Sequence, residues 1–221
     1  MNIQKQTDIR KLTLAAMLAA LAYVVNVLCH LSIVPAAPFL TYDPMDVIIA
    51  LGGLILGPFY ALMITIVAAM VEWFTISDTG IIGFLMNVLS SGTFACTAAF
   101  IYHRKRTLKN AVLGLVAGTL VMVAAMLLWN YIITPLYMNV TREQVVAMLP
   151  TVFLPFNVIK GGLNAALTFL LYRPVIGMLR SAKLMPASKA PAKKMHIVPI
   201  LVAALIVVTC VLVILSLKGI I

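Results

Sequence analysis

Long apolar runs, broken by short polar stretches, dominate this chain and leave few ways to fold it. Residues 110–133 contain no charge at all, and residues 12–29, 58–74, 80–102, 150–172 and 196–217 are nearly as apolar. A helix crosses the hydrocarbon core of a bilayer with about 20 predominantly apolar residues. A further run, 46–56, is shorter and is parted from the next only by Gly57 and Pro58. It is expected to be tilted or partly embedded. No water in the bilayer core satisfies an exposed backbone group, so these runs must be closed helices. A barrel would need alternating ten-residue segments, and these runs do not alternate. The expectation is an all-α integral membrane bundle with six core helices and a seventh C-terminal transmembrane helix.

Composition supports that reading. Hydrophobic residues make up 63% of the 221 and charged residues 10%, against about 25% charged in soluble domains. A soluble enzyme, a disordered chain, a disulfide scaffold and a DNA-binding domain are all excluded. Cys29, Cys96 and Cys210 stand alone in apolar stretches. They suggest buried structural thiols and no metal site.

The net charge of +10 is informative through its placement. Lys5, Arg10 and Lys11 precede the first run. Arg104, Lys105, Arg106 and Lys109 lie between the fourth and fifth, and Arg173, Arg180, Lys183, Lys189, Lys193 and Lys194 follow the sixth. With the N-terminus inside, all of these fall on the cytoplasmic side, as basic residues of membrane proteins do. They orient the chain and touch anionic lipid, and no nucleic-acid role is expected. The start does not read as a cleavable signal peptide, since its apolar run is span-length and lacks a clear cleavage site. Residues 1–180 form the core by this reading. Residues 181–195, rich in Pro, Ala and Lys, form a flexible cytoplasmic linker, and 196–221 form an appended span. No inverted repeat is visible.

Polar residues inside a membrane need a reason. Asn157, Lys160 and Asn164 fall at offsets of 3 and 7, on one helical face. A lysine there costs about 2.5–3.5 kcal/mol on insertion scales. Snorkelling to the outer headgroups would relieve that cost, but it would not need two flanking asparagines. A ligand-facing cation is the stronger reading. Asn130 sits among Trp129, Tyr131 and Tyr137. It suits either an interhelical hydrogen bond or readout of a ligand's polar edge, and the aromatics suit an interfacial belt. Glu72 and Asp78 read as interface charges, with Glu72 as the only embedded acid. Asn26 and Asn87 are expected to bond helix to helix. The loop 30–43 is apolar and proline-stiffened, fit to cap a pocket. Ala15, Ala16, Ala19 and Ala20 have the small-xxx-small spacing that lets another helix approach, as do Gly53/Gly57 and Gly114/Gly118.

Other machinery is missing from the sequence. There is no P-loop, no HExxH and no nucleophile–base set. The chain therefore reads as a binder of a small planar or polyol ligand, and not as an enzyme. A stand-alone secondary transporter is the competing class.

Four stretches carry a more specific resemblance: FLTYDPMDVIIALGGLILGPFYAL, AAFIYHRKRTLKNAVLG, NYIITPLYM and FLPFNVIKGGLNAAL. Through them, residues 12–179 resemble the riboflavin-specific substrate-binding (S) components of energy-coupling factor (ECF) transporters. The resemblance implies a six-helix fold with a vitamin pocket near the outer face, closed by the first loop. It implies that Asn130, Asn157 and Lys160 contact the flavin, with Asn164 on the same face. Leu40, Thr41 and Tyr42 would line the ring, and the alanine row would face the transmembrane coupling subunit. Two cytoplasmic ATPase subunits would supply energy, and riboflavin would be cargo, with no resident cofactor. The location implied is a bacterial cell membrane. Another flavin or vitamin remains the near alternative. The linker and seventh span depart from the family pattern, whose members usually end soon after the sixth helix.

Overall fold

The computed structural model describes residues 3–29, 31–32, 40–77, 79–182 and 197–217. Eight α-helices follow in order among them: α1 (Ile3–Leu28), α2 (Met45–Leu56), α3 (Pro58–Thr75), α4 (Gly80–Arg104), α5 (Leu108–Met138), α6 (Arg142–Met148), α7 (Leu154–Ser181) and α8 (Ile197–Leu217). Six helical segments are long and apolar enough to cross a membrane. The short α2 is the exception. Its 12 residues span about 18 Å at the helical rise, well short of a bilayer core.

Each boundary has a local cause. Gly57 ends α2 with φ at +115°, in the left-handed region open to glycine. Pro58 then opens α3, where its missing N–H is no loss. Thr107 caps α5 by accepting from the Asn110 amide at 3.3 Å. In sequence, α6 falls between the apolar runs 110–133 and 150–172. Its signal is a capping box: Thr141 accepts from the Gln144 amide at 3.4 Å, and Gln144 accepts from the Thr141 amide at 3.0 Å. A π-helical turn, Leu149–Phe153, joins α6 to α7.

Two short strands, β1 (Leu31–Ser32) and β2 (Thr41–Tyr42), pair antiparallel between α1 and α2. They pin the ends of the first loop, whose residues 33–39 lie outside the described residues. So do Asp78 and the linker residues 183–195.

Helix packing rests on small residues, because lipid tails are as apolar as leucine and give helices little reason to associate. Gly114 and Gly118 of α5 face the backbone of α4. A Cβ added at Gly114 would lie 2.6 Å from the Ala98 carbonyl oxygen, and one at Gly118 would lie 2.5 Å from that of Phe94. Gly53 lets α2 meet α3 and α4 at Ala61 and Ala99. The alanine row divides. Ala15 and Ala19 are buried in the core, whereas Ala16 and Ala20 are exposed. Only that second pair is open to an outside partner in this arrangement. The cysteines depart from expectation too, since Cys29 is exposed and Cys96 and Cys210 are half-buried.

Gly118→Val tests the close α4–α5 approach. Overpacking typically costs about 1–3 kcal/mol. The variant is expected to lower the apparent melting temperature in detergent by several degrees, while the lipid-facing change Leu120→Val should not.

Candidate functional site

The site is built around a lysine that lies inside the bundle. Lys160 of α7 is 4% exposed. Its Nζ donates to Asp43 Oδ2 at 2.9 Å and stands 3.5 Å from Asp46 Oδ2. Snorkelling is thus not its resting place. The sequence reading treated Glu72 as the sole embedded acid, whereas the structure buries Asp43, Asp46 and Glu72. An unpaired ammonium in a low-dielectric interior would be prohibitive, and a carboxylate at hydrogen-bond distance offsets most of that cost.

Further groups complete the pair. Asn164 Nδ2 donates to Asp46 Oδ2 at 2.9 Å, and Ser91 of α4 donates to Asp46 Oδ1. Thr41 donates to Asp43 Oδ1 at 3.2 Å. One charged cluster therefore joins β2 and the turn after it, α2, α4 and α7. The carboxylates were hard to assign from sequence because they lie more than a hundred residues from Lys160. The available signal was Asp43-Pro-Met-Asp46, two of only six acids in the chain, at the mouth of an apolar run.

The face expected from the offsets is real, as Asn157, Lys160 and Asn164 are all buried. Asn157 Nδ2 donates to the Phe153 carbonyl in the π-helical turn at 2.7 Å. Its Oδ1 is buried without a hydrogen-bond partner, as are Asn164 Oδ1 and Tyr42 Oη. Buried polar atoms are rarely left so. Burial, together with the nearby Asp46 carboxylate, pushes the Tyr42 phenol well above its ordinary value, so it stays a neutral group able to donate.

A small cavity of about 10 Å³ is lined by Leu40, Thr41, Asp43, Asn157 and Lys160 on one side and by Met86 and Asn87 of α4 on the other. A second, of about 20 Å³, is lined by Asn130, Thr134, Trp129, Tyr137 and Thr79. Met86 borders both. Tyr42 and Asn164 stand behind these walls: Tyr42 packs with Phe153 and Phe156, and Asn164 backs Asp46.

Asn130 does not make the interhelical bond considered from sequence. Its Nδ2 donates to the Met126 carbonyl at 2.7 Å, and its Oδ1 accepts from Thr134 at 2.9 Å, both within α5. An amide has a second N–H and a second lone pair, so one of each remains for another group. Asn87 does link helices, donating to Glu72 Oε2 at 2.9 Å. Glu72 is consequently a buried acceptor and no interface charge. Tyr131 is exposed and carries the Arg142 guanidinium 5.2 Å above its ring.

Comparison with known proteins gives consistent findings. Residues 10–172 match the family model of the ECF transporter substrate-specific component. The riboflavin transporter RibU of Staphylococcus aureus is 29% identical over 187 residues, covering 81% of this chain and 96% of that protein. The riboflavin transporter RibU of Streptococcus thermophilus is 27% identical over 183 residues, covering 78% and 86%. A solved structure of the S component of a bacterial ECF transporter superposes with a TM-score of 0.68 at 29% identity, covering 78% of this chain and 99% of that one.

The ion-pair cluster yields a stability test. Lys160→Ala leaves two buried carboxylates without their cation, and breaking a buried pair from one side costs about 3–5 kcal/mol. Thermal unfolding in detergent should show a large loss for Lys160→Ala. Adding Asp43→Asn should restore part of it; a double variant no more stable than the single would mean the charge is not what matters.

Proposed function

The chain belongs to the substrate-specific components of ECF transporters, and from that premise we propose that it captures riboflavin from outside the cell for an ATP-driven importer. One observation carries the choice of ligand surface. Asn157 and Lys160 line a buried cavity together with the loop residues Leu40 and Thr41, and Asn157 brings an unpaired carbonyl oxygen to that face. Two relatives of similar length bear the name of riboflavin transporters.

The chemistry suits a flavin. An isoalloxazine ring has an apolar dimethylbenzene end and an imide edge with one donor flanked by acceptors. Asn157 Oδ1 accepts from the ring imide. Lys160 donates to a ring carbonyl or ribityl hydroxyl while Asp43 holds it in place. Asn130 offers its remaining N–H and lone pair from α5, with Trp129 and Tyr137 as flat apolar walls. Both cavities are smaller than the ring. Met86 stands between them, and a methionine side chain is flexible enough to withdraw. Its withdrawal would join the two spaces into one trough.

The orientation in this reading has the N-terminus and the basic clusters inside a bacterial cell membrane. The exposed Ala16 and Ala20 meet the transmembrane coupling subunit, and two cytoplasmic ATPases supply the energy. The chain works by binding and release and performs no bond chemistry. The three buried acids would also suit a self-powered proton-coupled carrier. Uptake into vesicles lacking any ATPase partner would favour that alternative.

Purified protein in detergent is expected to quench riboflavin fluorescence at equal stoichiometry, with the bound flavin identified by mass spectrometry. Asn157→Leu should weaken binding about 10- to 100-fold, since an unpaired ligand group costs about 1–3 kcal/mol. Unchanged affinity would remove Asn157 from the site. A wild-type protein that quenches nothing would remove the flavin.

A further inference from the structure

At the basic end of the bundle, away from the loop-capped site, a cavity of about 140 Å³ opens between α4, α5 and α7. Arg106, Arg173, Thr107, Tyr102 and Tyr172 form its polar walls. Its floor is apolar and includes Leu115 and Phe169. Those two residues also line a much larger groove, of about 460 Å³, bounded by α5, α7 and α8. The rest of the groove is apolar apart from Thr119; Val116, Leu120, Ala166, Val202 and Ile206 are typical. The two spaces are thus adjacent, with Leu115 and Phe169 as their common wall, cationic at one end and aliphatic along the rest.

Among the described residues, the charges at the mouth lack acidic partners. Arg106 donates to His103 Nδ1 at 3.1 Å, and neither arginine has an ion pair among the described residues. The sequence offers little choice. Its acids are Asp8, Asp43, Asp46, Glu72, Asp78 and Glu143, and Asp43, Asp46, Glu72 and Glu143 lie on segments near the opposite end. Both arginines are exposed, free to meet an anion at headgroup level. The groove exists because α8 stands off the bundle. It packs along α7, and Ala203 is its only buried residue among the described side chains. Opposite it, Gly162, Ala165 and Ala166 of α7 are small, so a gap remains toward α5. This third wall lies beyond residues 10–172, the part matched by the family model.

We propose that this joint of α4, α5, α7 and α8 binds one anionic glycerophospholipid, its phosphate at Arg106 and Arg173 and one acyl chain in the groove. Guanidinium groups pair well with phosphate oxygens, and basic pockets between transmembrane helices favour anionic headgroups. The groove, at about 460 Å³, is large and apolar enough to take an acyl chain. A protein segment would not need a cationic mouth opening into a lipid-facing slot. The proposal is independent of the vitamin reading, since it shares no residue with that site.

Native mass spectrometry of the full chain in neutral detergent tests it. Phosphatidylglycerol is expected to give a one-to-one adduct that survives activation able to strip phosphatidylcholine. Arg106→Ala/Arg173→Ala should weaken the phosphatidylglycerol adduct at least tenfold while leaving riboflavin quenching and the melting temperature unchanged. Val116→Trp, which fills the groove from an exposed position, should weaken it with both arginines intact. Equal retention of the two lipids, or no effect of the double variant, would overturn the proposal. Glycerol 3-phosphate competing as well as whole lipid would overturn the acyl-chain half. A site indifferent to lipid, but whose arginines are shielded from phenylglyoxal only by the coupling and ATPase subunits, would overturn it in favour of a protein contact.

Discussion

A lysine ammonium inside a membrane bundle must find a carboxylate or leave. Lys160 finds two, and the arrangement of this end of the molecule follows from that requirement. Its partners lie 117 and 114 residues earlier in the chain, at the turn after β2 and the first turn of α2. The pairing thus fixes where α2 enters relative to α7. Ser91 and Asn164 satisfy Asp46 from two further directions. Buried ion pairs are poor evidence for stability, since desolvation consumes most of the attraction. Their better-attested use is to set register, and in a bilayer that use gains weight. Apolar surfaces there cannot drive helices together, so position must come from small-residue contacts and a few polar ties.

The same cluster gives the first loop a mechanical link to the proposed ligand face. Thr41 bonds Asp43, Asp43 bonds Lys160, and Lys160 shares a cavity with Asn157. A group that drew the Lys160 ammonium toward itself would pull on Asp43 and, through it, on Thr41 at the described end of the first loop. In the proposed site, the position of that end and the occupancy of the pocket are therefore linked. The π-helical turn acts on the other side: its Phe153 carbonyl accepts from the Asn157 amide, which leaves the Asn157 carbonyl oxygen without a partner and one N–H of its NH₂ uncommitted.

What the sequence revealed follows from the range of each interaction. Spans were legible because hydropathy and length act locally, and the helix ends at Gly57-Pro58 and Thr107 carry their own chemistry. The face of Asn157, Lys160 and Asn164 was legible because helical periodicity is local too. The partners of Lys160 were not, because nothing local marks Asp43 and Asp46 as belonging to α7. Glu72 was misjudged for the same reason: its depth depends on Asn87, on another helix. The helix α6 was within reach, since Thr141 and Gln144 spell a capping box, but its seven residues are too few for a hydropathy signal. The alanine row shows a different limit. Spacing marks a surface fit for close approach but cannot say whether the approaching helix belongs to the same chain, and here Ala15 and Ala19 are taken by the core.

The last helix carries that limit furthest. An amphipathic helix declares its buried side, but α8 is apolar on every face and so has no direction of its own in a bilayer. Its hydropathy assures that it is embedded and leaves its neighbour undetermined. Packing decides, and it decides weakly: Ala203 is buried, Val207, Cys210 and Ile214 pack half-buried against the core, and most other described side chains stay open to lipid. A helix held along one narrow stripe leaves space beside it, and in a membrane such space is filled by acyl chains. The basic residues at the end of the same gap then determine which headgroup those chains carry. A segment that adds almost nothing to the core can in this way create a chemically specific surface, from apolar packing that is loose and charges that were already present on its neighbours.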